Sequence, residues 1–159
     1  MGNFIDTSDK KYLQILEEAK QRILSSRIKI AKAASREQFQ LYWRFGQKII
    51  ESQEKFGWGK SIIEKLSVDL KRTFGGTTGF SPQNLWYMRQ FYLAYRDHPN
   101  LQQLVGEIPC GHNLIILSKV KTIETREYYI KGVIEQGWTR SVLLSQIESN
   151  AHIRHLSNK

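Results

Sequence analysis

The sequence predicts an all-α fold: a helical domain with long N-terminal helices and a helix-turn-helix-like core. Three observations carry this expectation. Prolines are confined to Pro82, Pro99 and Pro109, which leaves long stretches free to be helical. Apolar residues recur at three- and four-residue steps along much of the chain. No stretch sustains the two-residue alternation of a half-buried strand, although 105–109 is compatible with a short hairpin. Residues 1–150 read as a single domain, and 151–159 as a frayed tail.

The first helix is expected over 8–34. Tyr12, Leu16, Ala19, Ile23, Ser26, Ile30 and Ala33 fall at alternating four- and three-residue steps and make one mostly apolar stripe, with Lys10, Glu17, Gln21 and Arg22 off it. Such a stripe needs a cover, either from the rest of the domain, which is favoured, or from a second copy of itself. Ser35 with Gln38 reads as a capping box that starts a second helix. In that helix Phe39, Tyr42, Trp43, Gly46, Ile49 and Ile50 share a side, and Gly46 would admit another helix closely. Gly57-Trp58-Gly59-Lys60 makes a tight connection. Ser61 then caps a third helix over 61–74, with Ile62, Ile63, Leu66, Leu70 and Phe74 as its apolar side.

Three glycines in Gly75-Gly76-Thr77-Thr78-Gly79 argue against helix there. Phe80-Ser81-Pro82 then spells a helix start: Ser81 as N-cap, Pro82 in the first turn, and Phe80 as a hydrophobic staple. This helix runs to about Tyr95, and 96–100 ends it. Three shorter helices follow, starting near Gly111-His112, at Thr122, and at Thr139. Gly57-Trp58-Gly59-Lys60-Ser61 has an echo in Gly137-Trp138-Thr139-Arg140-Ser141. In both, the Trp is expected to pack beside the start of a helix, with a basic residue at the rim; two instances do not make a repeat protein.

Charge narrows the partner. Lys and Arg number 24 against 15 Asp and Glu, a net +9, which points to an anionic partner, with nucleic acid ahead of membrane or acidic protein. Cys110 is the sole cysteine, so no intramolecular disulfide forms and a reducing compartment is expected. The N-terminus lacks the apolar stretch of a signal peptide, and no apolar run reaches the roughly 20 residues of a membrane span. A soluble, cytoplasmic protein is the expectation.

Helices over 61–74 and 82–95, joined by a glycine-containing turn somewhat longer than usual, match a helix-turn-helix. Its second helix would lie in the major groove. At 100° per residue, Leu85, Met88, Phe91, Tyr92 and Tyr95 face the core. Gln83, Trp86, Tyr87 and Gln90 face away, Arg89 lies on the flank, and Asn84 lies nearer the apolar side. Gln, Asn and Arg can make bidentate contacts to purine edges, so Gln83, Asn84, Tyr87, Arg89 and Gln90 are the candidates to read or clamp the groove. Lys60, Lys71 and Arg72 are the candidates to hold phosphates. The amides that follow Pro82 could also accept a phosphate. Helical proteins that never touch DNA share these shapes. The alternative is a protein-interaction or dimerisation module whose contact surface is the N-terminal helix.

No catalytic or metal site is expected, and no cofactor. Asp69-Leu70-Lys71 resembles the (D/E)-x-K pair of a metal-dependent nuclease, but it falls on a helix without an upstream acidic partner. Cys110 and His112 stand two apart, with no acid to orient them. His98, His112, His152 and His155 lack zinc-module spacing.

Several blocks resemble a known family. Leu41-Tyr42-Trp43-Arg44-Phe45-Gly46, Gly57-Trp58-Gly59-Lys60, Gly79-Phe80-Ser81-Pro82-Gln83-Asn84-Leu85, Met88-Arg89-Gln90-Phe91-Tyr92, Gly137-Trp138-Thr139-Arg140 and Leu144-Ser145-Gln146-Ile147-Glu148-Ser149-Asn150 are similar to the N-terminal domain of YhcG-type proteins. They occur in the family's order, from about Tyr12 to Asn150. The resemblance implies a helix-turn-helix-like DNA-binding module, usually followed by a PD-(D/E)XK nuclease domain. That nuclease domain is expected to be absent from this chain, which would then be an excised domain or a stand-alone version, and not itself an enzyme. Where the family typically has Trp-Ser-His, this sequence has Cys110-Gly111-His112, which keeps only the histidine.

Overall fold

The computed structural model describes residues 4–75 and 79–158. Among these residues the fold is all-α, with eight helices and no strand. They are α1 (Lys10–Phe56), α2 (Ser61–Thr73), α3 (Pro82–Tyr95), α4 (Pro99–Val105), α5 (Cys110–Lys119), α6 (Ile123–Gln136), α7 (Arg140–Glu148) and α8 (Ala151–Ser157). The chain divides into two compact units, Met1–Ala34 and Ser35–Lys159.

In the first unit, α1 starts after Asp9, whose carboxylate accepts the Lys11 N–H at 2.8 Å. The predicted stripe lies along α1, and within this unit no described residue covers it. Ile23 and Leu24 are each 52% exposed, Ile28 57% and Ile30 67%; only Tyr12 and Leu16 are half-buried. The helix expected to begin at Ser35 does not begin there either, because α1 runs unbroken from Lys10 to Phe56. Ala31, Lys32, Ala33 and Ala34 are strong helix formers, so the amides at the supposed cap already have acceptors four residues back. A capping box stabilises a start only where the preceding chain has left the helix.

The second unit holds the core. The α1 residues from Ser35 onward bury Tyr42, Gly46, Ile49 and Ile50, as the pattern predicts. Phe39 and Trp43 flank them, with their rings on Phe91 at 5.4 Å and Tyr92 at 4.8 Å. Gly46 meets α3 so closely that a Cβ there would run into the Met88 carbonyl. Ser81 caps α3 as expected, its Oγ accepting the Asn84 N–H at 3.1 Å, and Leu85, Met88, Phe91 and Tyr95 are buried. Ser61 is not the cap of α2; it is the first helical residue, preceded by Lys60 with no side-chain cap. Phe74 ends that helix half exposed, with its ring 5.8 Å from Phe80.

Pro99 was expected to belong to a terminating segment. Instead it opens α4, buries Leu101 and Val105, and leaves only a short bend after α3. Proline tolerates the first helical turn as readily as it ends the previous helix. The stretch after α4 turns rather than pairing as a hairpin, and the Asn113 amide donates to the Val105 carbonyl at 3.0 Å. Thr122 and Thr139 cap α6 and α7 as predicted. Ala151–Ser157 of the tail form α8. Asn150 adopts φ 53°, Ala151 is buried, and the Tyr129 hydroxyl and His152 Nδ1 lie 2.8 Å apart.

Tyr95 and Tyr129 are the largest side chains buried completely. The Tyr95 hydroxyl has no hydrogen-bond partner among the described residues. Burial pushes its pKa up to about 12, against the small opposing pull of Arg126. Arg126 itself closes the end of α5, its Nε donating to the Val120 carbonyl at 2.8 Å.

Candidate nucleic-acid interface

The connection between α2 and α3 is anchored from both sides. Ser67, buried on α2, donates its hydroxyl to the Phe80 carbonyl at 2.6 Å. The Asn84 amide donates to the Gly79 carbonyl and, at 3.0 Å, to the Tyr42 hydroxyl on α1. Gly79 has φ 112°, a region that favours glycine. Of the glycine-rich segment predicted to be non-helical, 76–78 lie outside the described residues. Ser67 and Tyr42 escaped sequence reasoning because each sits on an apolar helix face and reads there as a tolerated core polar residue.

The predicted site residues fall into three settings. Gln83 is exposed and Tyr87 half-buried on the outer side of α3, with the Gln83 amide 3.4 Å from the Tyr87 hydroxyl. Gln90, half-buried, lines an open groove of about 400 Å³ with Trp86, Tyr87, Leu93, Leu117 and Arg126. Arg89 is held: its Nε donates to Gln53 Oε1 at 2.7 Å, and its guanidinium lies 4.8 Å above the Trp86 ring. Gln53 also donates to the Gly59 carbonyl at 2.6 Å, which ties Arg89 to the connection that carries Lys60. Asn84 points inward, and its amide is engaged with Gly79 and Tyr42.

The basic residues are exposed. Lys60, Lys71 and Arg72 all face solvent, the last two in the final turn of α2. Arg72 reaches Asp69 at 3.9 Å, and Asp69 also takes Lys65 at 3.2 Å. These exposed pairs are screened and contribute little to stability. Among the described residues Lys60 and Lys71 make no ion pair. The start of α3 is less open to a phosphate than the sequence suggests. Ser81 accepts from both the Asn84 and Leu85 amides, which leaves fewer free N–H groups there for an anion.

Asp69 and Lys71 lie on the outer part of helix α2, and no cluster of three or more His, Cys, Asp or Glu able to hold a metal occurs among the described residues. Cys110 lies against Tyr42, and burial pushes its thiol pKa up, the opposite of an activated nucleophile. His112 Nε2 stands 2.8 Å from the Trp138 carbonyl, so this nitrogen carries the proton and donates. Among the described residues, no helix is long and apolar enough to cross a membrane.

Residues 18–154 match the profile of the DUF1016 N-terminal domain. The chain belongs to that family. It is also 24% identical, over 91% of its length, to the Escherichia coli (strain K12) protein named "Putative nuclease YhcG". The match covers 47% of that relative, so the chain spans about half the length of the curated relative it matches. No solved structure matches. The DUF1016 N-terminal match takes in all of α2 to α7, and so every candidate interface residue.

Proposed function

We propose that this chain is a helix-turn-helix-like DNA-binding module that brings an associated nuclease domain or partner to duplex DNA. The observation that carries the reading is the held Arg89. It is fixed by Gln53 and by the Trp86 ring, on the same helix as the outward-facing Gln83, Tyr87 and Gln90. An arginine fixed in this way loses little side-chain freedom when it meets a phosphate or a guanine edge. Gln83, Tyr87 and Gln90 read the groove, while Lys60, Lys71 and Arg72 contact phosphates. Asn84 acts indirectly, by fixing the start of α3. The net charge of +9 and the relationship to a nuclease-named protein support the same reading.

The test is an anisotropy titration of the chain against labelled duplex and single-stranded DNA at two salt concentrations. Duplex binding with a steep salt dependence is expected. K71E/R72E, at exposed positions, should weaken binding to all sequences about tenfold or more and flatten the salt slope by roughly one unit per lost phosphate contact. A chain that ignores duplex DNA even at low salt overturns the reading.

A further inference from the structure

Within the first unit no described residue covers the apolar stripe, and its charge pattern says what can. Leu16, Ile23 and Ile30 take one set of core positions in a seven-residue repeat, and Tyr12, Ala19, Ser26 and Ala33 take the other. Three of the latter are small, which lets a second helix approach closely. The stripe covers 22 residues, about 33 Å of helix at 1.5 Å per residue. That is enough for three heptads, the shortest length at which this pattern is diagnostic.

The first flanking positions, Leu13 and Ile15, are apolar, and from Lys20 to Lys29 the flanking positions are basic on both sides. Lys20 and Arg27 border one edge, Arg22 and Lys29 the other, and 19–34 contains five basic residues and no acidic one. A second copy is therefore a poor cover. Side by side in parallel, Arg22 would face the copy's Arg27. Antiparallel, Lys20 would face Arg27, and Arg22 would face Lys29. Like charges at these positions disfavour pairing in either orientation. Lys20 does reach Glu17 at 3.9 Å, but both side chains are more than half exposed and the contact is screened. A flat membrane surface fits poorly too. Lys20 and Arg27 project between the line of Ile23 and Ile30 and that of Leu24, within the arc that a bilayer-embedded helix keeps apolar.

We propose that 12–33 forms a docking helix for an acidic partner helix, one whose apolar seam is bordered by Glu or Asp. The apolar stripe supplies the binding area, and the basic borders choose this partner over a second copy of the chain. The surface is separate from the DNA-binding reading of α2 and α3.

The full chain is titrated with two labelled three-heptad peptides, both with Leu at the core positions. One carries Glu and the other Lys at the flanking positions. Sedimentation of the chain alone and binding to phosphatidylcholine/phosphatidylserine vesicles complete the set. The expected result is a monomeric chain that binds the Glu peptide at least ~10-fold more tightly than the Lys peptide, more weakly as salt rises. I23S/I30S, at exposed positions, should reduce Glu-peptide affinity about tenfold while leaving duplex DNA binding unchanged. The charge-reversed K20E/R22E/R27E/K29E should bind the Lys peptide instead, which separates a loss of recognition from a loss of helix. Failure to bind the Glu peptide, a self-dimer broken by I23S/I30S, or vesicle binding tighter than Glu-peptide binding each overturns the proposal.

Discussion

Gly57-Trp58 and Gly137-Trp138 start from the same backbone. Each glycine follows a helix with φ near 65° (65° and 64°), and each tryptophan leads into the next helix. Their surroundings differ. Trp58 is 50% exposed, and among the described residues its ring stacks on Phe56, two positions earlier, at 4.5 Å. Trp138 is half-buried against Gly132 of α6, and its carbonyl accepts from His112 of α5. The capping differs as well: Thr139 accepts the Val142 N–H, whereas Lys60 offers α2 no side-chain cap. A short motif can thus determine how the chain turns without determining what its aromatic residue is worth. That value comes from what distant elements bring: at Trp138 a helix surface with no side chain, and a histidine donor.

The largest effect expected from this contrast is at Trp138. Trp138→Ala should lower the unfolding free energy by about 3 kcal/mol in urea titrations, since it empties a packed site. An equal loss from Trp58→Ala would break the comparison. Gly132→Ala comes next, at about 2 kcal/mol, because its methyl would collide with the Trp138 ring. Combined with Trp138→Ala it should cost far less than the sum, since the collision disappears with the ring.

The burial behind this contrast is also readable by pH. Tyr95 has its pKa raised to about 12 from 10.0. Below pH 10 its contribution is fully present. Between about pH 10 and 12 the unfolded chain releases the proton that the folded chain retains, so stability falls. The loss is on the order of 2 kcal/mol, and Tyr95→Phe should remove that alkaline limb. Denaturant midpoints measured across this window for both proteins check it. Smaller and equal effects are expected from Gly57→Ala and Gly137→Ala, about 1 kcal/mol each, since both positions are left-handed and neither has neighbouring atoms to clash with. Trp58→Ala is expected to be the mildest, below about 0.5 kcal/mol.

The legible parts of the fold were those decided by neighbours in sequence. Ser81-Pro82, Thr122 and Thr139 mark helix starts because a hydroxyl three residues ahead of an amide suffices to cap it. The misread parts share a cause. Ser35 and Ser61 carry cap chemistry, but Ser35 sits inside a helix already under way and Ser61 lies one position past the N-cap, as the first helical residue. Pro99 reads equally as an end or a beginning, and the burial of Leu101 and Val105 makes it a beginning. In the candidate interface, helical projection separated the core and outer sides of α3 correctly, with Tyr92 only half-buried. It could not show that Asn84 turns inward to Tyr42 or that Gln53 holds Arg89, since both partners lie more than 30 positions away in the chain.

By itself, then, the sequence determined the helical class, the basic balance, the outer face of α3 and the apolar stripe of the N-terminal helix. These follow from periodicity, capping and charge, which act within a turn or two of helix. Only the tertiary structure decided that α8 docks through Ala151 and His152, and that Trp138 is half-buried where Trp58 is exposed. Burial depends on which surfaces meet across the fold, and residues far apart in the chain determine that.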